Sequence, residues 1–125
     1  MTERIRYHTD LDVWKVSKDL AVELYRLTDK FPARERFALS DQIRRSASSV
    51  PANIAEGCGR GSSRELIRFL RVARGSLSEL HSHLSLADEL GYFAPSQRSA
   101  FDKIERIHYM LNAFIGRLKK SRCGR

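Results

Sequence analysis

The sequence predicts an all-α protein: an antiparallel up-down-up-down four-helix bundle that takes up residues 1–125 as one domain. The first reason is an apolar seam between residues 63 and 91, in which apolar residues recur at alternating spacings of four and three. Its members are Leu66, Leu70, Ala73, Leu77, Leu80, Leu84 and Ala87. Three further segments are amphipathic at helical spacing, and Gly or Pro stands where the segments meet. A helix of about 28 residues spans roughly 42 Å and needs long neighbours, because burial of its seam supplies most of its stability.

The first helix is expected over residues 12–30, after an irregular lead-in over residues 1–10. Asp12 can cap its start. Phe31 precedes Pro32, which disfavours a helical conformation at Phe31 and ends the helix. The apolar face consists of Trp14, Leu20, Ala21, Leu24, Leu27 and Thr28.

The second helix is expected over residues 40–57, with Ser40 as its cap and Gly57 as its C-terminal stop. Residues 58–61 would form the turn. Pro51 lies inside the apolar stripe, where a proline removes one backbone hydrogen bond. The stripe continues across it, which favours a kinked but continuous helix. The alternative is two short helices broken at Val50.

The third helix is expected over residues 63–90, capped by Ser62 or Ser63 and ended by Gly91. The fourth is expected over residues 96–120, capped by Ser96 and followed by a flexible basic tail over residues 121–125. In this topology the end of the second helix, the start of the third and the end of the fourth share one pole of the bundle.

The formal net charge is +8, and it is unevenly distributed. Residues 33–75 hold nine basic and four acidic residues, residues 76–95 hold no Lys or Arg and three acids, and residues 96–125 hold eight basic and two acidic residues. A basic chain of this kind attracts polyanions. The alternative is that the charge only keeps the surface soluble.

The best candidate site is a basic surface that contacts nucleic-acid phosphates, because guanidinium groups match phosphate geometry. Its candidate residues are Arg44, Arg45, Arg60, Arg64, Arg68, Arg71, Arg74, Lys119 and Lys120. The competing interpretation is a solvated face, or ion pairs with Glu35, Asp41, Glu56 and Glu65.

A second group of residues is expected to act as a structural kink or an interface between subunits. Pro51, Asn53 and Glu56 form its distinctive stretch, and a kink whose freed polar groups are satisfied nearby is favoured over an interface. Gly75 and Ser78 leave a small surface on the third helix, which permits close approach of a bundle neighbour or another subunit.

No pattern of catalytic residues, metal ligands or cofactor-binding residues is visible, so a non-enzymatic protein without cofactor or metal is expected. His81 and His83 are two residues apart and lie on different helix faces. Cys58 and Cys123 belong to no metal-like spacing and are expected to be free thiols of a cytoplasmic protein. No apolar run is long enough to span a bilayer and the N-terminus is not a signal peptide, so no membrane contact is expected.

Two runs resemble the bacterial four-helix-bundle family named for the intervening sequences of 23S ribosomal RNA, within which some members are encoded. The first comprises Phe31-Pro32, Glu35, Phe37, Leu39, residues 42–47 and residues 51–57. The second comprises Glu65, Phe69-Leu70, Ala73, residues 75–77, Glu79-Leu80 and residues 90–92, and Trp14 fits as well.

This resemblance implies a four-helix bundle that assembles into a barrel-shaped homopentamer with a central channel. A distant relative of similar architecture is the accessory variability protein of diversity-generating retroelements, which is basic, binds nucleic acid and partners a reverse transcriptase. The expected partners are therefore further copies of the chain, RNA or DNA, and a nucleic-acid-processing protein. The alternative function is a structural or protein-interaction scaffold with no nucleic-acid role.

Overall fold

The structure is a computed structural model that describes residues 7–123, with the side chains of residues 7–121. Within residues 7–123 it contains four α-helices, three short 3₁₀-helices and no strand. The α-helices are α1 (Asp12–Thr28), α2 (Leu39–Gly59), α3 (Ser63–Glu89) and α4 (Ser99–Cys123). The predicted all-α class with four helices is confirmed. Most of the predicted lead-in, residues 1–6, lies outside the described residues, as do residues 124–125 of the predicted tail.

The four helices pack in a closed order around one core. α2 lies between α1 and α3, and α4 contacts both α3 and α1. All seven members of the α3 seam are buried, and six of them are fully inaccessible to solvent. The seam therefore forms the centre of the core, as its heptad spacing predicts.

The prediction that Gly57 ends the second helix is wrong. α2 continues to Gly59, so Cys58 and Gly59 are helical rather than part of the turn. A Cβ atom on Gly57 would lie 2.9 Å from the Cβ of Phe69 and 3.3 Å from the Cα of Leu66. α2 and α3 therefore approach each other closely at Gly57. The chain turns instead at Gly61, whose φ of +83° is a conformation that glycine adopts without strain.

The start of α2 also differs from the prediction. Ser40 is a buried residue inside the helix, and α2 begins at Leu39 without a side-chain cap at Ala38. The backbone N–H of Leu39 donates instead to Glu35 Oε1 at 3.4 Å. Ser62 caps α3 as predicted, because its Oγ accepts a hydrogen bond from the N–H of Glu65 at 3.1 Å.

The remaining helix ends shift by one to three residues. α1 ends at Thr28 and its N-cap position is Leu11 rather than Asp12. Residues Pro95–Arg98 form a 3₁₀-helix, so α4 begins at Ser99 and not at Ser96. α4 then continues to Cys123, which places residues 121–123 of the predicted tail in the helix.

Pro51 does not break α2. The helix runs through it without interruption, so the alternative of two short helices is wrong. Val50 and Ile54 on either side of the proline are both buried, and the apolar stripe therefore holds the helix against the core across the missing hydrogen bond.

The connections before α2 and after α3 meet at one end of the molecule. The Tyr92 hydroxyl donates to Glu35 Oε2 at 2.7 Å, and the Tyr92 ring lies 5.0 Å from the buried ring of Phe31. The bond to Glu35, together with burial, raises the pKa of Tyr92. The loop between α1 and α2 is thus anchored to the loop between α3 and α4.

Candidate nucleic-acid interface

The nine candidate cations do not form one patch. Arg44 and Arg45 lie in the first turns of α2, whereas Arg60 follows its last turn. Arg60 lies sixteen positions after Arg44, which corresponds to roughly 24 Å along the helix axis. The structure therefore separates the arginine pair at the start of α2 from the arginines at the end of α2 and along the first half of α3, while the two lysines lie on α4.

Arg44 is engaged by acceptors from α1. Its Nε donates to Thr28 Oγ1 at 2.8 Å and its Nη2 donates to the Tyr25 carbonyl oxygen at 3.2 Å. The same Nη2 forms an ion pair with the carboxylate of Asp29, and the guanidinium lies 5.1 Å from the centre of the Tyr25 ring. The Arg44 side chain is 33% exposed. It joins α2 to the end of α1 and is poorly placed to leave these acceptors for a phosphate.

Three other arginines form the ion pairs that the competing interpretation anticipates. Arg45 Nε contacts Asp41 Oδ2 at 2.8 Å within α2. Around the start of α3 lies the Phe69 cluster, which we define as Glu56, Arg60, Glu65, Arg68 and Phe69.

In the Phe69 cluster, two guanidinium groups lie against one aromatic ring, with their central carbons 4.9 Å (Arg60) and 4.4 Å (Arg68) from its centre. Arg68 donates to both oxygens of Glu65, at 3.2 and 3.0 Å, and Arg60 pairs with Glu56 at 2.9 Å. The hydrogen bond from Arg68 is the main cause that lowers the pKa of Glu65. The same bond raises the pKa of Arg68. The carboxylates thus neutralise much of this local charge.

Five of the candidates have no ion-pair partner within the described side chains: Arg64, Arg71, Arg74, Lys119 and Lys120. Arg74 is half-buried, and the other four are exposed. Arg64 and Arg71 are seven residues apart on α3, so they share one helix face at a separation of two turns. Arg74, one turn further, donates instead to Asn112 Oδ1 of α4 at 2.9 Å.

The second predicted group of residues is divided between the contact of α2 with α3 and the exposed surface. Asn53 Nδ2 donates to the carbonyl oxygen and to the Oγ of Ser49, at 2.8 and 2.9 Å. Ser49 Oγ in turn lies 2.8 Å from Ser76 Oγ, so this polar chain joins α2 to α3 next to Pro51. Glu56 instead belongs to the Phe69 cluster.

Gly75 and Ser78 face different surroundings. Within the described residues no atom of another helix lies within 4 Å of a Cβ built on Gly75, so none of the described helices approaches it closely. Ser78 Oγ lies 3.3 Å from His108 Nε2 of α4. Only Ser78 is therefore adjacent to a bundle neighbour.

Metal and thiol chemistry receive no positive support from the described residues. Among them, no three His, Cys, Asp or Glu side chains are grouped as metal ligands would be. Burial raises the pKa of the Cys58 thiol, which disfavours the nucleophilic thiolate. The side chain of Cys123 lies outside the described part of the chain. None of the described helices has the length and apolar character that a bilayer crossing requires.

Comparison with known proteins gives a family and a fold. A family model described as 23S rRNA-intervening sequence protein matches residues 9–113. No curated protein matches the chain. A crystal structure of a protein of unknown function from the S23 ribosomal protein family of Bacteroides thetaiotaomicron is similar, with a TM-score of 0.76 and 27% sequence identity. The match covers 83% of this chain and 95% of that one.

Proposed function

The chain belongs to the 23S rRNA-intervening sequence protein family, and from this premise we propose that it is a non-enzymatic, self-assembling protein that binds RNA or DNA through phosphates. The observation that carries the proposal is the pair of exposed arginines, Arg64 and Arg71, which have no acidic partner within the described side chains. An unpaired guanidinium can bind a phosphate without first giving up a carboxylate.

The proposed arrangement of the helices is an antiparallel up-down-up-down bundle. It is supported by contacts between α3 and α4, where Arg74 bonds to Asn112 and Ser78 lies beside His108. From Arg74 to Ser78 the chain advances four residues on α3, while their contacts on α4 go back four residues, from Asn112 to His108. This register supports an antiparallel pair.

Continuing this register toward the start of α3 brings Lys119 and Lys120 to the level of Leu66 and Ile67. These two lysines would then lie beside the arginines of α3, at the end of the bundle opposite Arg44. We define this proposed surface, formed by Arg64, Arg71, Lys119 and Lys120, as the α3–α4 basic patch.

Self-assembly is proposed as a barrel-shaped homopentamer with a central channel, on the basis of the family resemblance. A ring of five copies would present the basic patch five times, and polyvalent display strengthens binding to a polyanion. The proposed location is the cytoplasm, and the proposed protein partner is one that processes nucleic acids. A light-scattering mass under native conditions tests the oligomer directly, and the mass of a monomer would contradict it.

The experiment for nucleic-acid binding is a mobility-shift titration at several salt concentrations, with single-stranded RNA, double-stranded RNA and duplex DNA as separate probes. The test variant is Arg64→Ser combined with Arg71→Ser. Its matched control is Arg45→Ser with Arg98→Ser, which removes the same charge from arginines that are paired with Asp41 and Asp88.

The binding constant falls as salt rises, so the plot of log K against log salt has a negative slope. Loss of two phosphate contacts should make this slope shallower by about 1.4 for single strands and about 1.8 for duplex DNA. The control variant should retain the wild-type slope. Equal weakening in both variants would show that only total charge matters and would overturn the assignment to the basic patch.

A structural or protein-interaction scaffold is the second candidate function. It is favoured by the ion pairs that engage Arg44, Arg45, Arg60 and Arg68, since these consume much of the positive surface. Unchanged mobility of every probe at low salt would leave this candidate alone.

A further inference from the structure

The turn that leads into α2 presents an exposed aromatic side chain. Phe37 is 89% exposed, more than any other large hydrophobic residue in the described part of the chain. The turn is anchored on both sides, because Phe31 packs against Tyr92 before it and Glu35 binds both Tyr92 and the N–H of Leu39. The backbone beside Phe37 is therefore held in place while its ring projects into solvent.

A groove between α3 and α4 offers a surface of mixed apolar and polar character that complements the turn. Its volume is about 390 Å³, in the range of small-ligand pockets. Buried Ile104 lies in it, and the Phe101 ring contacts the rings of His81 at 5.5 Å and Phe93 at 5.8 Å. The groove is lined by Ser78, His81, Phe101, Asp102, Ile104, Glu105 and His108.

The charges of the turn and the groove are opposite. Arg36 precedes Phe37 and its guanidinium lies 5.9 Å from that ring. Asp102 and Glu105 are exposed on the groove. Within the described side chains none of these three residues forms an ion pair, although the chain is basic overall. Two unpaired carboxylates beside an apolar groove are suited to an arginine that adjoins an aromatic residue.

The turn and the groove begin at the same end of the molecule. Tyr92 binds Glu35, two residues before Phe37, and the next residue, Phe93, contacts Phe101 at the mouth of the groove. The turn lies beside the start of α2, whereas the groove lies between α3 and α4. They are separate surfaces at a similar height on the bundle.

We propose that the Arg36-Phe37 turn of one copy docks into the α3–α4 groove of the next copy. This inference rests on the proposed self-assembly and names the surfaces that perform it. The Phe37 ring would pack against Phe101 and Ile104, and Arg36 would pair with Glu105 or Asp102.

Such a contact joins two different surfaces. Made reciprocally by two copies, it gives a two-fold dimer; made once, it is heterologous and leaves an unused turn on one copy and an unused groove on the other. A heterologous contact closes only as a ring. Because the two surfaces lie at a similar height, successive copies stay level, which favours a closed ring over an open helix.

The experiment is a light-scattering and sedimentation measurement of self-association over a concentration series. Phe37→Ser should weaken association on the order of 30-fold, the effect of losing an interface hot spot. The matched control is Tyr7→Ser, which removes another exposed aromatic residue from the start of the described chain and should leave association unchanged. Thermal unfolding by circular dichroism checks that each variant is folded.

Charge exchange tests which surfaces pair. Arg36→Glu and Glu105→Arg should each weaken association about 5- to 10-fold, and the double variant with both changes should recover most of the loss. The pairing of the turn with the groove is overturned if neither this double variant nor the one that combines Arg36→Glu with Asp102→Arg recovers association.

The outcomes separate this inference from the function on which it rests. If the wild-type protein assembles but Phe37→Ser and Arg36→Glu associate as tightly as wild type, another surface forms the oligomer and the docking proposal is overturned. If the wild-type protein is a monomer, both self-assembly and docking are overturned. Nucleic-acid binding is measured separately and does not enter either conclusion.

Discussion

Arg44 at the start of α2 and Arg64 at the start of α3 occupy similar positions on neighbouring helices but have different surroundings. Arg44 reaches a hydroxyl, a carbonyl and a carboxylate of another segment, at Thr28, Tyr25 and Asp29. Arg64 is exposed and has no acidic partner within the described side chains. The difference teaches that an arginine is available for phosphate only where the fold has brought no acceptor to it.

The largest effect is expected where α3 is held against α2. Gly57→Ala should lower the free energy of unfolding by about 1–3 kcal/mol, because the new Cβ would meet Phe69 at 2.9 Å. Gly59→Ala is the matched control, since nothing lies within 4 Å of its Cβ and alanine favours the helix by up to about 1 kcal/mol. Chemical denaturation measures both. Equal stability of the two variants would show that the helices are not in close contact at Gly57.

The next effect compares the two arginines directly. Arg44→Ala should lower the free energy of unfolding by about 1–2 kcal/mol, because it leaves the acceptors on α1 without their charged donor. Arg64→Ala should change it by less than about 0.5 kcal/mol. If the two substitutions were equally harmless, Arg44 would be as available for phosphate as Arg64.

A smaller effect is expected at the loop contact near the start of α2. Tyr92→Phe removes the hydroxyl that binds Glu35 and should lower the free energy of unfolding by less than Arg44→Ala does. The wild-type bond should weaken in alkali, since the pKa of Tyr92 is raised in the folded state: its contribution is complete below the ordinary value of 10.0 and is lost as the pH rises through the folded-state pKa. The denaturation curves of wild type and Tyr92→Phe should therefore differ at neutral pH and converge at alkaline pH.

The smallest effect concerns Glu65 in the Phe69 cluster. Its pKa is lowered in the folded state, so its contribution is complete above the ordinary value of 4.5 and is lost as the pH falls through the folded-state pKa. Below pH 4.5 the Glu65→Gln variant should therefore lose less stability than wild type does. An acid-unfolding curve identical to that of wild type would show that the Arg68 contact contributes nothing.

The sequence anticipated the helices better than their ends. Helical periodicity is local, so the seam of α3 and the continuity of α2 across Pro51 could be predicted from spacing alone. The end of α2 could not, because Gly57 looks like a stop signal until Phe69 and Leu66 are seen against it. Likewise, only the fold reveals that Glu35 binds the N–H of Leu39 in place of a serine cap.

For the candidate interface, the residue types could be predicted from the sequence, but not every ion pair that engages an arginine could be. Asp41, Glu56 and Glu65 lie within four residues of the arginines they pair with, so those ion pairs were visible in the sequence. Asp29 lies 15 positions from Arg44, and no local pattern connects them.

The sequence by itself determined that this chain forms four helices with a buried seam and an excess of arginine, because these properties depend on composition and on spacing within a few residues. Only the tertiary structure decided which arginines are held by hydrogen bonds and ion pairs and which surfaces are exposed to solvent. The physical reason is that hydrogen bonds, ion pairs and close helix contacts depend on distance in space. The folded chain brings atoms of residues far apart in sequence into hydrogen-bond distance, such as the 2.9 Å between the Arg74 guanidinium and Asn112 Oδ1.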